Sequence, residues 1–319
     1  MGPIGNTSFS KKKRISKVIF LGLAILCLFP ILSPPLALGL GLIMAQIIKN
    51  PFPQKSKSAI DGLLKMAVIG LGFGMNVGSA ISAGKSGFFF TMGSIVLTLS
   101  LGLLIGKYLG IDIKISQLIA SGTAICGGSA IAAIAPLIKA DAKQISIAIG
   151  IVFLLNSIAL FIFPPIGHFL ELSQHQFGLW SAIAIHDTSS VVGAAEVYGQ
   201  EALQVATTVK LTRALWILPL SLVFAFFGNG NLKSIKIPYF IGLFILAIVV
   251  NTYLPGIASV APYILSASKI AMTLVLFLIG TTLNFASIKS VGYKPLLLAI
   301  GLWLCIATLA LVVILNATI

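Results

Sequence analysis

Apolar residues run almost unbroken along this chain, and its polar positions gather in short clusters between the runs. Eleven apolar stretches can be drawn: 18–32, 35–48, 66–82, 88–106, 115–138, 144–167, 177–195, 203–227, 237–254, 261–286 and 295–316. Since about 20 apolar residues span the hydrocarbon of a bilayer, the pattern predicts roughly ten or eleven transmembrane segments. The links are short, which predicts antiparallel helix hairpins. The clearest is the polar stretch "KNPFPQKSKS" at 49–58, and "HFLELSQHQ" at 168–176 reads as an interfacial loop. Pro34–Pro35 and Pro164–Pro165 predict helix ends or kinks.

Composition sharpens this into an all-α polytopic membrane protein. Of 319 residues, 58% are hydrophobic and 9% charged, and mean hydropathy is +1.09; a soluble domain carries about 25% charged residues. No polar stretch is long enough for a second, soluble domain. The expected organisation is therefore a basic N-terminal tail, 1–16, and one integral membrane domain, 17–319. Lys11, Lys12, Lys13 and Arg14 before the first run resemble the start of a signal peptide. No small-residue cleavage site follows, so a retained first helix is expected.

The net charge of +14 invites a nucleic-acid reading, but the positions of the charges argue against it. With the N-terminus inside and every run crossing, the inner loops hold fourteen of the 21 basic residues, among them Lys49, Lys55, Lys57, Lys233, Lys236 and Lys289. The outer loops hold Lys85, Lys139 and Lys143. This is a positive-inside bias, so the basicity is ascribed to orientation and to contact with anionic lipid. The three cysteines, Cys27, Cys126 and Cys305, lie in separate runs without metal-ligand spacing, and read as buried thiols. No metal or nucleophile–base constellation and no phosphate-binding loop motif appears, so neither an enzyme nor a cofactor is expected.

Two interruptions carry the candidate chemistry. "SGTAICGGSA" at 121–130 places Gly122, Gly127 and Gly128 beside Ser121, Thr123 and Ser129 in mid-run. Irregular backbone at membrane depth survives only against protein or a water-filled cavity, and a restarting helix presents outward-facing amides that attract anions. Close helix packing through small residues is the alternative. "HDTSSVVGAA" at 186–195 adds Asp187, followed by Thr188, Ser189 and Ser190, and preceded by His186. A buried acid is costly, so Asp187 is expected to face a cavity or a cation; capping the helix that follows is the alternative. Only 12 residues run from Trp216 to Phe227, too few to cross, which pulls Lys210 and Arg213 into the membrane. Three residues apart, they share a helix face, and Arg suits an oxyanion; snorkelling to the interface is the alternative.

Weak internal similarity accompanies the interruptions. Lys65, Lys85 and Ser86 align with Lys269, Lys289 and Ser290 at an offset of 204. Ile125, Gly127 and Ser129 align with Ile185, Asp187 and Ser189 at an offset of 60. Inverted repeats with paired broken helices are a mark of secondary transporters. Full but broken crossings are expected for 115–138 and 177–195. Re-entrant segments are the alternative, which would move Lys139 and Lys143 inside and make the motifs inverted copies.

"SGTAICGGSAIAAIAP", "HDTSSVVGAA" with the following "VKLTRALWILPLSL", and the earlier "GLGFGMN" resemble the YeiH-type family of bacterial inner-membrane proteins, whose members carry the name sulfate exporters. The resemblance covers essentially the whole chain after the basic N-terminus. It implies a place in the cation–proton antiporter and anion transporter superfamily, with discontinuous helices meeting at mid-membrane and an elevator or rocking motion. The resulting expectation is a secondary transporter of a small anion such as sulfate, coupled to H+ or Na+. Thr123, Gly127, Gly128, Ser129, Thr188, Ser189, Ser190, Lys210 and Arg213 would bind the anion, and Asp187 with His186 would take the coupling ion. A cation/proton antiporter with Asp187 as its ion site and an anion channel are the alternatives. The expected partners are the small-anion substrate, membrane lipid and a second copy in a homodimer, with no nucleic acid.

Overall fold

The computed structural model describes residues 5–29, 31–48, 50–227, 239–283 and 292–316, and all regular structure among them is helical. Lys49, Lys233, Lys236, Lys289 and Ser290 lie outside the described residues, as do the side chains of Lys11, Lys12 and Lys13. The chain begins with α1 (Gly5–Leu26), α2 (Pro34–Ile47), α3 (Pro53–Leu71), α4 (Val77–Tyr108), α5 (Ile113–Ala124), α6 (Gly128–Ile134) and α7 (Ala142–Phe169). It continues with α8 (Gln174–Ala184), α9 (Thr188–Tyr198), α10 (Gln200–Leu215), α11 (Ile217–Phe227), α12 (Tyr239–Tyr253), α13 (Ala261–Thr282) and α14 (Tyr293–Asn316). Five spans among the described residues are long and apolar enough to cross a membrane, or six if one bent pair counts as a span. The remaining apolar runs are divided by breaks or are shorter helices.

The structure sets the helix boundaries, and one loop moves. α1 runs through the expected tail boundary at residue 16. Pro164–Pro165 lie inside α7, which continues to Phe169, whereas Pro34 and Pro35 open α2 in the first turn, where a missing N–H costs nothing. Lys85 is not in a loop: α4 is continuous through it, and the chain turns at Gly72–Asn76 instead, bending by 110°. Side chains from distant helices hold that turn. Gln204 donates to the Gly74 carbonyl (2.7 Å), Asn251 to the Met75 carbonyl (2.8 Å), and Asn76 caps α4 by accepting from the Ser79 amide (2.8 Å). At the positions aligned with this turn, α13 is unbroken, so the 204-residue correspondence does not extend to local structure.

The two interruptions are re-entrant hairpins rather than broken crossings. The Lys114 ammonium donates to the Lys139 carbonyl (2.8 Å), and the Gln144 side chain donates to Asp112 (3.2 Å). The chain therefore enters along α5 and leaves along α6 at the same end of the molecule. Likewise the Glu201 amide donates to the Gln174 side chain (3.0 Å), and Tyr198 donates to the Leu172 carbonyl, so α8 and α9 begin and end together. The first hairpin closes where the 28-residue α7 starts, and the second opens where α7 ends. The hairpins thus enter from opposite ends. Glycines permit the packing of each layer: a Cβ on Gly102 or Gly106 of α4 would collide with Ala120 or Ser116 of α5. Gly41 of α2 and Gly280 of α13 meet backbone to backbone in the same way.

Candidate functional site

The hairpin tips meet in the interior. Both breaks have the same register: α5 and α8 end before Ile125 and Ile185, and α6 and α9 begin after Gly127 and Asp187. This matches the 60-residue offset seen in the sequence. Gly127 has φ +62°, a conformation that favours glycine, and a Cβ there would sit 3.4 Å from the His186 carbonyl oxygen. The tips are therefore in van der Waals contact, with Val152 of α7 packed beside them.

Each tip ends a helix in the protein interior and leaves carbonyls without intrahelical partners, which must be satisfied elsewhere. Lys210 and Arg213 of α10 satisfy them. Lys210 Nζ donates to the carbonyls of Ile185 (2.6 Å) and Ala182 (3.2 Å). Arg213 bridges both hairpins: Nε donates to Ala124 (2.7 Å), Nη2 to Thr123 (3.3 Å), and Nη1 to Ile183 (2.7 Å) and Ala182 (3.4 Å). The Trp303 indole of α14 donates to the Ala184 carbonyl (3.0 Å). Both basic side chains have no solvent exposure, so snorkelling is excluded. They face the interior, and cations at helix C-termini offset the negative end of the dipole.

The helix restarts differ. Asp187 Oδ2 caps α9, accepting from the Ser190 amide (3.1 Å), the Ser190 hydroxyl (3.3 Å) and the Ser189 hydroxyl. Gly127 offers α6 no side-chain cap. Thr188, Ser189 and Ser190 form the first turn of α9, and Gly128 and Ser129 that of α6. Thr123 and Ser121 lie in the last turn of α5, just before the first break, and both hydroxyls are buried and unpartnered. His186 is fully buried, and neither ring nitrogen has a partner.

One residue at the site was not singled out from the sequence. Asn156 of α7 accepts from the His186 backbone amide through Oδ1 (2.8 Å), and its Nδ2 has no partner. A lone amide in the middle of the apolar run 144–167 was the available signal. Cys126, read as a buried thiol, lies within the first break, close enough to Asp187, Lys210 and Arg213 for their charges to act on it.

The fold and site define an all-α polytopic membrane protein with two re-entrant hairpins that meet around buried charge. The chain belongs to the family described as conserved hypothetical protein 698, whose model matches residues 12–299. A UPF0324 membrane protein of Photobacterium profundum is 51% identical over 93% of this chain and 91% of its own length. Relatives of the same designation in Bacteroides thetaiotaomicron and Shewanella oneidensis are 50% and 47% identical, covering 86% and 96% of this chain and 84% and 97% of their own lengths. No solved structure matches the chain.

Proposed function

We propose that this protein is a secondary transporter of small anions and that the junction of its two hairpin tips is the transport site. The observation that carries the reading is the charge buried there. Among the described residues, the buried side chains of the types that are charged in water at neutral pH are Lys210, Arg213 and Asp187. Two helix C-termini and two N-termini meet at the same point, and their partial charges of roughly −0.5 and +0.5 cancel, leaving about one positive unit. An anion relieves that excess and a cation worsens it. This disfavours the cation/proton antiporter alternative, as does the engagement of Asp187 as a cap. Opposed hairpins meeting at mid-depth also fit the inverted repeats of carriers and the likeness to YeiH-type sulfate exporters.

The proposed setting is a bacterial inner membrane with the N-terminus cytoplasmic. With re-entrant hairpins, Lys139 and Lys143 join the fourteen inner basic residues, which strengthens the positive-inside bias. Counterflow tests carrier against channel. Proteoliposomes preloaded with unlabelled sulfate should transiently accumulate labelled sulfate above equilibrium, and the same should hold for nitrate or acetate if one of these is the better substrate. Flux that ignores the internal anion would indicate a channel. Absence of flux with all three anions would overturn the reading.

A further inference from the structure

We propose that His186 carries the proton of this site and takes it up together with a divalent anion, while a monovalent anion binds without one. The inference rests on the anion-transporter reading and deepens it. Both ring nitrogens of His186 are buried without partners, although a neutral imidazole has one donor and one acceptor to satisfy. Buried polar groups are seldom left so, and those that are call for an explanation. Asn156 stands against the same residue. Its Oδ1 is fixed as an acceptor by the His186 amide, which leaves the Nδ2 protons unpartnered. An anion, which only accepts hydrogen bonds, satisfies both the amide and an imidazole N–H.

The other charged groups are already engaged. Asp187 caps α9, and Lys210 and Arg213 hold hairpin carbonyls. The charged groups that act on His186 are Lys210 and Arg213 from α10, with Asp187 next in the chain, and Cys126 of the first hairpin lies within reach of the same three charges. With the imidazole neutral, this junction holds about one positive unit once the helix ends are counted. A monovalent anion balances that charge as it stands. A divalent anion leaves one negative unit in a buried site, where unbalanced charge is costly, and one proton on His186 removes it. The only covalent change is an N–H bond, formed with a proton from water at entry and broken to water at release.

The test is thermal-shift titration of the purified protein with sodium sulfate and with sodium nitrate between about pH 5.5 and 8, the range in which histidine titrates. Sulfate stays divalent throughout. Its dissociation constant should rise about tenfold per pH unit on the alkaline limb, as one linked proton requires, while that of nitrate stays flat. His186→Gln should bind sulfate without the pH slope, and Asp187→Asn, which adds one positive unit to the junction, should bind sulfate more tightly and with a flattened slope. A wild-type sulfate affinity independent of pH, or a slope that survives in His186→Gln, would overturn the proton assignment. If His186→Gln fails to fold, ring-labelled histidine NMR of the wild type gives the same answer, since the chain has 3 histidines. Sulfate, but not nitrate, should shift one resonance to its protonated position, and no shift with sulfate overturns the proposal. Failure of sulfate, nitrate and acetate alike to bind would instead overturn the transporter reading.

Discussion

Replacing Arg213 with Met should loosen both hairpin tips at once. The side chain makes two short hydrogen bonds of 2.7 Å, one to Ala124 of the first hairpin and one to Ile183 of the second, and two longer ones. Hydrogen bonds to a charged group contribute about 1.5–3 kcal/mol each, so the short pair alone predicts a loss of about 3–6 kcal/mol. Interhelical hydrogen bonds in membranes average about 0.6 kcal/mol where the unfolded segment finds other partners. On that scale four contacts would total about 2.4 kcal/mol, which sets a lower bound. Arg213→Lys keeps the charge but loses the planar fork that spans two hairpins, and should lie between Met and wild type. Reversible unfolding in mixed SDS micelles measures the difference, with Trp180 of α8 and Trp303 of α14, each donating to the other helix, as fluorescent reporters. Met and Lys variants both within about 1 kcal/mol of wild type would refute the view that this guanidinium holds the tips together.

Three further outcomes follow from the same geometry. Asp187→Asn should fold nearly as well as wild type because Asn is also a good N-cap, whereas Asp187→Ala should lose about 1 kcal/mol in the same unfolding assay. Gly280→Val should sharply reduce the yield of monodisperse protein by size-exclusion chromatography, because the new side chain would strike the α2 backbone at Leu38 and Leu42. Lys55→Cys, exposed at the start of α3, should resist an impermeant thiol reagent in intact cells and react in inverted vesicles; reaction in intact cells would reverse the orientation.

Local chemistry was readable in the sequence where it is set locally. Runs of apolar residues became helices, and the glycine–hydroxyl clusters became breaks whose edges fall where the 60-residue offset puts them. The short run after Trp216 was enough to draw Lys210 and Arg213 inside. What the sequence hid depends on contacts between distant residues. Re-entry rests on Lys114 reaching Lys139 and Gln174 reaching Glu201, which hydropathy cannot register. An apolar run has the length to cross whether or not it turns back. The turn expected near Lys85 formed at Gly72–Asn76 because Gln204 and Asn251 satisfy its carbonyls there. The part played by Lys210 and Arg213 was hidden for a similar reason. Spacing shows that two cations share a face, but not that helix ends from two hairpins are brought to meet them.

The central claim is that the junction of the hairpin tips is the transport site and opens to each side in turn. Cys126 lies in the first break and is buried in this closed arrangement. It can be made the only thiol by Cys27→Ala and Cys305→Ser, since the chain has 3 cysteines. A membrane-impermeant maleimide applied separately to the two faces of sealed vesicles should label Cys126 from either side during turnover, and saturating sulfate should slow the reaction. A Cys126 that stays unreactive from both faces while the vesicles transport anion would contradict the account.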